Sequence, residues 1–142
     1  MSAPPHRPAA AAWEEILAAD PESYPDSQRA CLAELVSCTG PDFVGELLED
    51  LCRDGSERIA DLANALGRGD AEGVERSAHT LKSMSRTLGF ESLGSGCMHI
   101  ERIARAGSLE GVAAHAAGLA REMAAVERLR DLWAGTLPPA GA

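Results

Sequence analysis

Aromatic residues are scarce in this chain, 4% of 142. A core short of rings has to be filled by Leu, Ile, Val, Met and Ala, a composition that favours helices. Long apolar runs are missing as well. Nothing approaches the roughly 18 consecutive apolar residues of a membrane span. Residues 1–8, rich in proline, also lack the apolar core of a signal peptide, so a cytoplasmic location without membrane attachment is expected. Positive charge is in deficit: 13 Lys and Arg stand against 22 Asp and Glu, a net charge of −9. A phosphate backbone would be repelled on average, and no basic run interleaved with aromatics offsets that, which argues against nucleic acid as a partner.

Several chemistries lose support in the same way. Cys31, Cys38, Cys52 and Cys97 form no C-x-x-C pair, and His6, His79, His99 and His115 do not join them at zinc-finger spacing. No metal site is therefore expected, and the cysteines read as small apolar core fillers in a reducing compartment. There is no phosphate-cradling G-x-x-x-x-G-K-[ST], no G-x-G-x-x-G after a strand and no H-E-x-x-H. An ATP pocket or a self-contained hydrolytic site has no residues to build it.

What is present is helical periodicity. Hydrophobic residues make up 45% and charged residues 25%, the balance of one globular domain with a real core. Short helices are predicted over residues 10–19 and 27–38, separated by an extended linker at Pro21 and Pro25. Then Val44, Leu48, Leu51, Ile59, Leu62 and Leu66 recur at threes and fours, with Gly55-Ser56 as a possible kink. Gly67-Arg68-Gly69 stops that helix and Asp70 caps the next, which carries Val74, Ala78, Leu81, Ser85 and Leu88. Gly89 closes it. Ser92 is predicted to cap a helix with Leu93, Cys97, Ile100 and Ala104, ended by Gly107. Ser108 is predicted to cap the last, carrying Leu109, Val112, Ala116, Leu119, Met123, Val126 and Trp133.

Four amphipathic helices on short connections pack antiparallel, neighbour on neighbour. The predicted fold is all-α: an up-and-down four-helix bundle over residues 27–135. A short, partly flexible N-terminal helical extension is expected over residues 1–26, and a flexible tail over 136–142.

One stretch stands out chemically: His79-Thr80-Leu81-Lys82-Ser83-Met84-Ser85. At about 100° per residue from the apolar stripe, Lys82 falls near 80°, Arg86 near 120°, His79 near 140° and Ser83 near 180°. The histidine therefore faces solvent with two cations on its flank. If Leu88 faces Leu93 across the short turn, antiparallel pairing joins residues whose numbers sum to about 181. That sets His79 level with Glu101 and Arg102, and Arg105 level with Arg76. A carboxylate there can take a hydrogen bond from one ring nitrogen and leave the other free as a nucleophile. Lys82 and Arg86 could then hold an arriving anion. The plainer alternatives are a solvated face with a chance histidine, and Glu101 as a surface carboxylate paired with Arg105 at i+4.

The stretch from Ala78 to Ser85, followed by Leu88-Gly89-Phe90, Leu93, Cys97 and Ile100-Glu101, resembles the histidine-containing phosphotransfer (HPt) domain family. Pro41-Asp42-Phe43-Val44, Glu46-Leu47-Leu48 and Gly69-Asp70 extend the resemblance, which spans roughly residues 28–133. It implies a carrier relaying a phosphoryl group between aspartates of response-regulator receiver domains, a hybrid kinase's receiver among them. By position, His79 would be phosphorylated, Lys82 would stabilise the phosphate, and Glu101 would orient the imidazole. Arg76, Ser83, Met84 and Arg86 would face the partner. The chain would act as a monomer with no cofactor of its own, Mg²⁺ arriving with the receiver, and would not be an enzyme. The family's usual glycine four residues after the histidine is Ser83 here, small enough to let a partner dock. A helical adaptor with the motif unused is the alternative, and the N-terminal module of a chemotaxis kinase, which shares a similar motif, is a further one.

Local charge fits docking. Residues 71–105 carry five cations and four anions, whereas residues 41–66 carry two cations and seven anions. A receiver's acidic pocket can thus approach the histidine without net repulsion. Phe90, Met84 and the N-terminal helix are candidates for the apolar part of that surface.

Overall fold

The computed structural model describes residues 9–136, all of whose regular structure is helical: α1 (Ala9–Ala18), α2 (Asp26–Thr39), α3 (Pro41–Gly67), α4 (Ala71–Thr87), α5 (Glu91–Arg105) and α6 (Val112–Thr136). Helices α3 to α6 form the bundle, each packed on the next, with α6 closing back on α3. No helix among the described residues is long and apolar enough to cross a membrane.

Local chemistry explains most boundaries. Gly40, at φ +87°, turns the chain between α2 and α3, and Pro41 takes the first helical position of α3, where a missing N–H costs nothing. Asp70 caps α4 by accepting from the Gly73 amide at 3.0 Å. Gly89 closes α4 at φ +79°, and a Cβ there would lie 3.1 Å from that of Cys31, so both conformation and space call for glycine. Helix α3 runs unbroken through Gly55, where the sequence suggested a possible kink. A Cβ at Gly55 would meet Met123 Cε at 3.2 Å and Leu81 Cδ1 at 3.3 Å, so this glycine serves close helix packing instead.

Two predicted caps differ. Helix α5 starts at Glu91 after Phe90, while the Ser92 hydroxyl donates to Glu122 on α6 at 2.7 Å. Helix α6 starts at Val112, not after Ser108; the Ser108 hydroxyl accepts from the Glu110 amide inside a separate turn that ends in Gly111 at φ +86°. In both places a serine found a competing partner, which periodicity alone does not report.

The N-terminal helices are stitched to the bundle. Trp13 on α1 stacks on Trp133 of α6 with ring centroids 5.1 Å apart, and the Trp133 indole N–H donates to the Pro41 carbonyl at 2.8 Å. Leu17, Tyr24 and Leu32 are buried in the same core. The Tyr24 hydroxyl donates to the Ala125 carbonyl at 3.3 Å, and Arg128 lies over its ring. Gln28 reaches the Leu88 carbonyl at the end of α4. Of the segments expected to be flexible, residues 1–8 and 137–142 lie outside the described residues, Thr136 ends α6, and the helices at 9–18 and 26–39 are docked. The core is built mainly of Leu, Val, Ile, Met and Ala, as expected, and the few rings join it: Trp13, Tyr24, Phe90 and Trp133 are buried, and Phe43 is exposed. The cysteine reading holds for Cys52 and Cys97, but Cys31 is half-buried and Cys38 exposed.

Candidate functional site

Helix α4 buries Val74, Ser77, Ala78, Leu81 and Ser85. The intervening position turns outward, and the His79 side chain is 61% exposed. Its Nδ1 lies 3.2 Å from Oε1 of Glu101 on α5. Glu101 shares the inward face of α5 with Cys97, Ile100 and Ala104, and is only 4% exposed. A carboxylate taken that far from water must be paired. It has three donors: His79, the Lys82 ammonium 2.7 Å from Oε2, and an Arg105 guanidinium nitrogen 2.9 Å from Oε1.

Burial pushes the Glu101 carboxyl upward, but hydrogen bonds and charge from Lys82 and His79 outweigh it and hold the group below its ordinary value of 4.5. Glu101 is therefore an anion at neutral pH and an acceptor only. The 3.2 Å contact is satisfied when Nδ1–H donates, which puts the lone pair on Nε2 of an exposed ring. Immediately along α5, burial and then the charges of Glu122 and Glu101 push the Cys97 thiol up to about 12. It stays neutral beside the cluster.

The remaining residues fall in different places. Lys82 is not the free surface cation the helical wheel suggested: its side chain is 17% exposed and its ammonium is engaged by Glu101. Glu101 does pair with Arg105, as the plainer alternative had it, but from a buried position and together with His79 and Lys82. Ser83 is exposed and its hydroxyl donates to the His79 carbonyl at 3.2 Å, so its proton is occupied by the backbone. Arg86 leans across α5, its side chain passing over Gly94 and its guanidinium 3.7 Å from Met98 Sδ. Arg76 is exposed and lines a polar recess with Arg68, Asn64 and Asp61 near the α3–α4 turn. Met84 is half-buried, not exposed, in a shallow groove of about 280 Å³ shared with Leu47, Leu51 and Leu88. Phe90 is buried at the start of α5 and offers no docking surface.

The sequence reading missed Glu75, whose Oε1 accepts from Arg105 Nε at 2.9 Å. The register argument contained the signal, since it set Arg105 level with Arg76, one residue from Glu75. Among the described residues no group of three or more His, Cys, Asp or Glu is arranged to hold a metal ion.

The described helices thus form a bundle that presents an exposed imidazole fixed by a buried carboxylate. The Hpt domain family model matches residues 46–129, more than half of the chain, and the chain belongs to that family. A curated relative, histidine-containing phosphotransfer protein 1 from Oryza sativa subsp. japonica, is 30% identical over 88 residues, covering 61% of this chain and 60% of the rice protein's length. The crystal structure of histidine-containing phosphotransfer protein B from Pseudomonas aeruginosa PAO1 superimposes with a TM-score of 0.75 at 30% identity, covering 80% of this chain and 98% of that one. The X-ray structure of a rice protein superimposes with a TM-score of 0.68 at 19% identity, covering 90% of this chain and 98% of that one, a likeness of fold.

Proposed function

We propose that this chain is a phosphocarrier that takes a phosphoryl group onto His79 from an aspartyl phosphate of one response-regulator receiver domain and delivers it to an aspartate of another. The observation that carries the reading is the exposed His79 ring held through Nδ1 by the buried Glu101. In the forward step the Nε2 lone pair attacks phosphorus, a P–N bond forms and the P–O bond to the aspartate breaks, leaving that aspartate as a carboxylate. Nδ1 keeps its proton throughout, donating it in a hydrogen bond to Glu101, so the transfer needs no general base. The same steps in reverse discharge the phosphohistidine onto the second receiver. Lys82, one turn along α4 and anchored on the same carboxylate, contributes positive charge beside the transferred group. The receiver brings Mg²⁺ and its aspartate, and this chain brings no cofactor. The setting is cytoplasmic, with the protein acting as a monomer.

The test is incubation with a receiver domain carrying ³²P on its aspartate. The wild type is expected to acquire acid-labile, base-stable label, and His79→Gln none, at unchanged helicity. Label that survives the substitution overturns the assignment of His79. Receiver binding with no label on the wild type would favour a helical adaptor in place of a carrier.

A further inference from the structure

Glu101 poses a problem for the chemistry it supports. An anionic partner at an imidazole favours the imidazolium, and an imidazolium has no lone pair with which to attack phosphorus. A nucleophilic ring has to be oriented by the carboxylate without being protonated because of it.

The charges around the ring are arranged to meet both demands. From α4 come Glu75, His79 and Lys82, and from α5 come Glu101 and Arg105. Cys97 on α5 is a neutral thiol, and α6 contributes Glu122, whose charge reaches that thiol. With the imidazole neutral, the two carboxylates and two cations in direct contact sum to zero. Arg105 has the pivotal position, because its guanidinium bonds Glu101 Oε1, the oxygen that also accepts from His79 Nδ1–H, and at the same time Oε1 of Glu75. Each partner competes for its charge.

We propose that Arg105 is a positioning residue which, balanced between Glu75 and Glu101, keeps the His79 ring a neutral nucleophile. The proposal rests on the phosphocarrier reading for its purpose, though not for its measurement. Removing Arg105 leaves more of the Glu101 charge for the ring and favours its protonation. Removing the Glu75 charge commits Arg105 to Glu101 and disfavours it. Removing a cation and removing an anion move a nearby ring in opposite directions by charge alone, so the comparison that decides is with Arg76, an exposed cation one turn before His79 on α4 that lacks the Glu101 bond. The proposal requires opposite signs for Arg105 and Glu75, and an Arg105 shift at least twice that of Arg76.

The experiment is ¹⁵N NMR of the His79 ring across pH in the wild type, Arg105→Gln, Arg105→Lys, Glu75→Gln and the control Arg76→Gln, with thermal melts to confirm that each is folded. In Arg105→Gln the ring's protonation curve is expected to move to higher pH by roughly 0.2–0.7 unit, the scale of an exposed charge pair. In Glu75→Gln it is expected to move to lower pH by a similar amount, and Arg105→Lys should restore most of the wild-type curve. The acid limb of the rate profile for transfer from a phosphorylated receiver should move the same way in each variant. Shifts of one sign in Arg105→Gln and Glu75→Gln, or none, or an Arg76→Gln shift as large as that of Arg105→Gln, overturn the role of Arg105 even in a protein that labels normally. Shifts of opposite sign in a protein that never takes label support the charge balance and overturn the carrier reading alone.

Discussion

The α4–α5 seam and the α1–α6 seam belong to one core but are held by different physics. Along α4–α5 the packing residues are small or aliphatic: Ala78, Leu81 and Ser85 face Leu93, Gly94, Cys97 and Ile100. The seam also admits a buried carboxylate with three charged or polar partners. Along α1–α6 the contact is made by large rings, Trp13 on Trp133, with Tyr24 sealing the linker against α6. The aromatic seam buries large apolar rings, whereas the polar seam lets a carboxylate reach between helices to an exposed ring.

The sharpest way to break this contrast is at the aromatic seam. Trp133→Ala is expected to cost about 3–5 kcal/mol of stability in urea unfolding, while the fraction still folded keeps its capacity for label at His79. A small loss, or a folded protein unable to accept label, would show that the two seams are not separable.

At the polar seam the expected effect is smaller and depends on pH. Glu101→Gln removes a charged acceptor from Lys82, His79 and Arg105 and is expected to cost about 1–2 kcal/mol at neutral pH. Because the folded state holds the Glu101 carboxyl below 4.5, its contribution is complete above that value and is lost as pH falls through the lower, native one. The stability gap between wild type and Glu101→Gln should therefore narrow as the solution is acidified from neutral to about pH 3. A gap that is constant across that range would mean the carboxylate is not linked to folding.

The smallest effect concerns the thiols. With burial pushing Cys97 up to about 12, a thiol reagent at pH 8 should modify exposed Cys38 promptly and leave Cys97 untouched until the bundle unfolds. Mass spectrometry of the timed reaction checks the order. Early modification of Cys97 would mean that the seam beside Glu101 opens readily.

The amino-acid sequence alone determined the four amphipathic stretches, the Asp70 cap, the Gly89 stop and the outward direction of His79. Each depends on spacing within one helix, where 3.6 residues per turn links sequence to geometry directly. The antiparallel register across the α4–α5 turn also followed, because a short connection fixes which positions lie level. Tertiary structure decided the rest. Ser92 and Ser108 gave up the predicted caps for other partners, and Met84 turned into a groove beside Leu47. Lys82 bent onto Glu101, and Arg105 came to rest between two carboxylates. Likewise Trp13, Tyr24 and Trp133 met at one seam, since which distant helices meet is set by the packing of the whole core. A long side chain's partner depends on rotamers and on the depth of a neighbouring helix, quantities that no single stretch of sequence encodes.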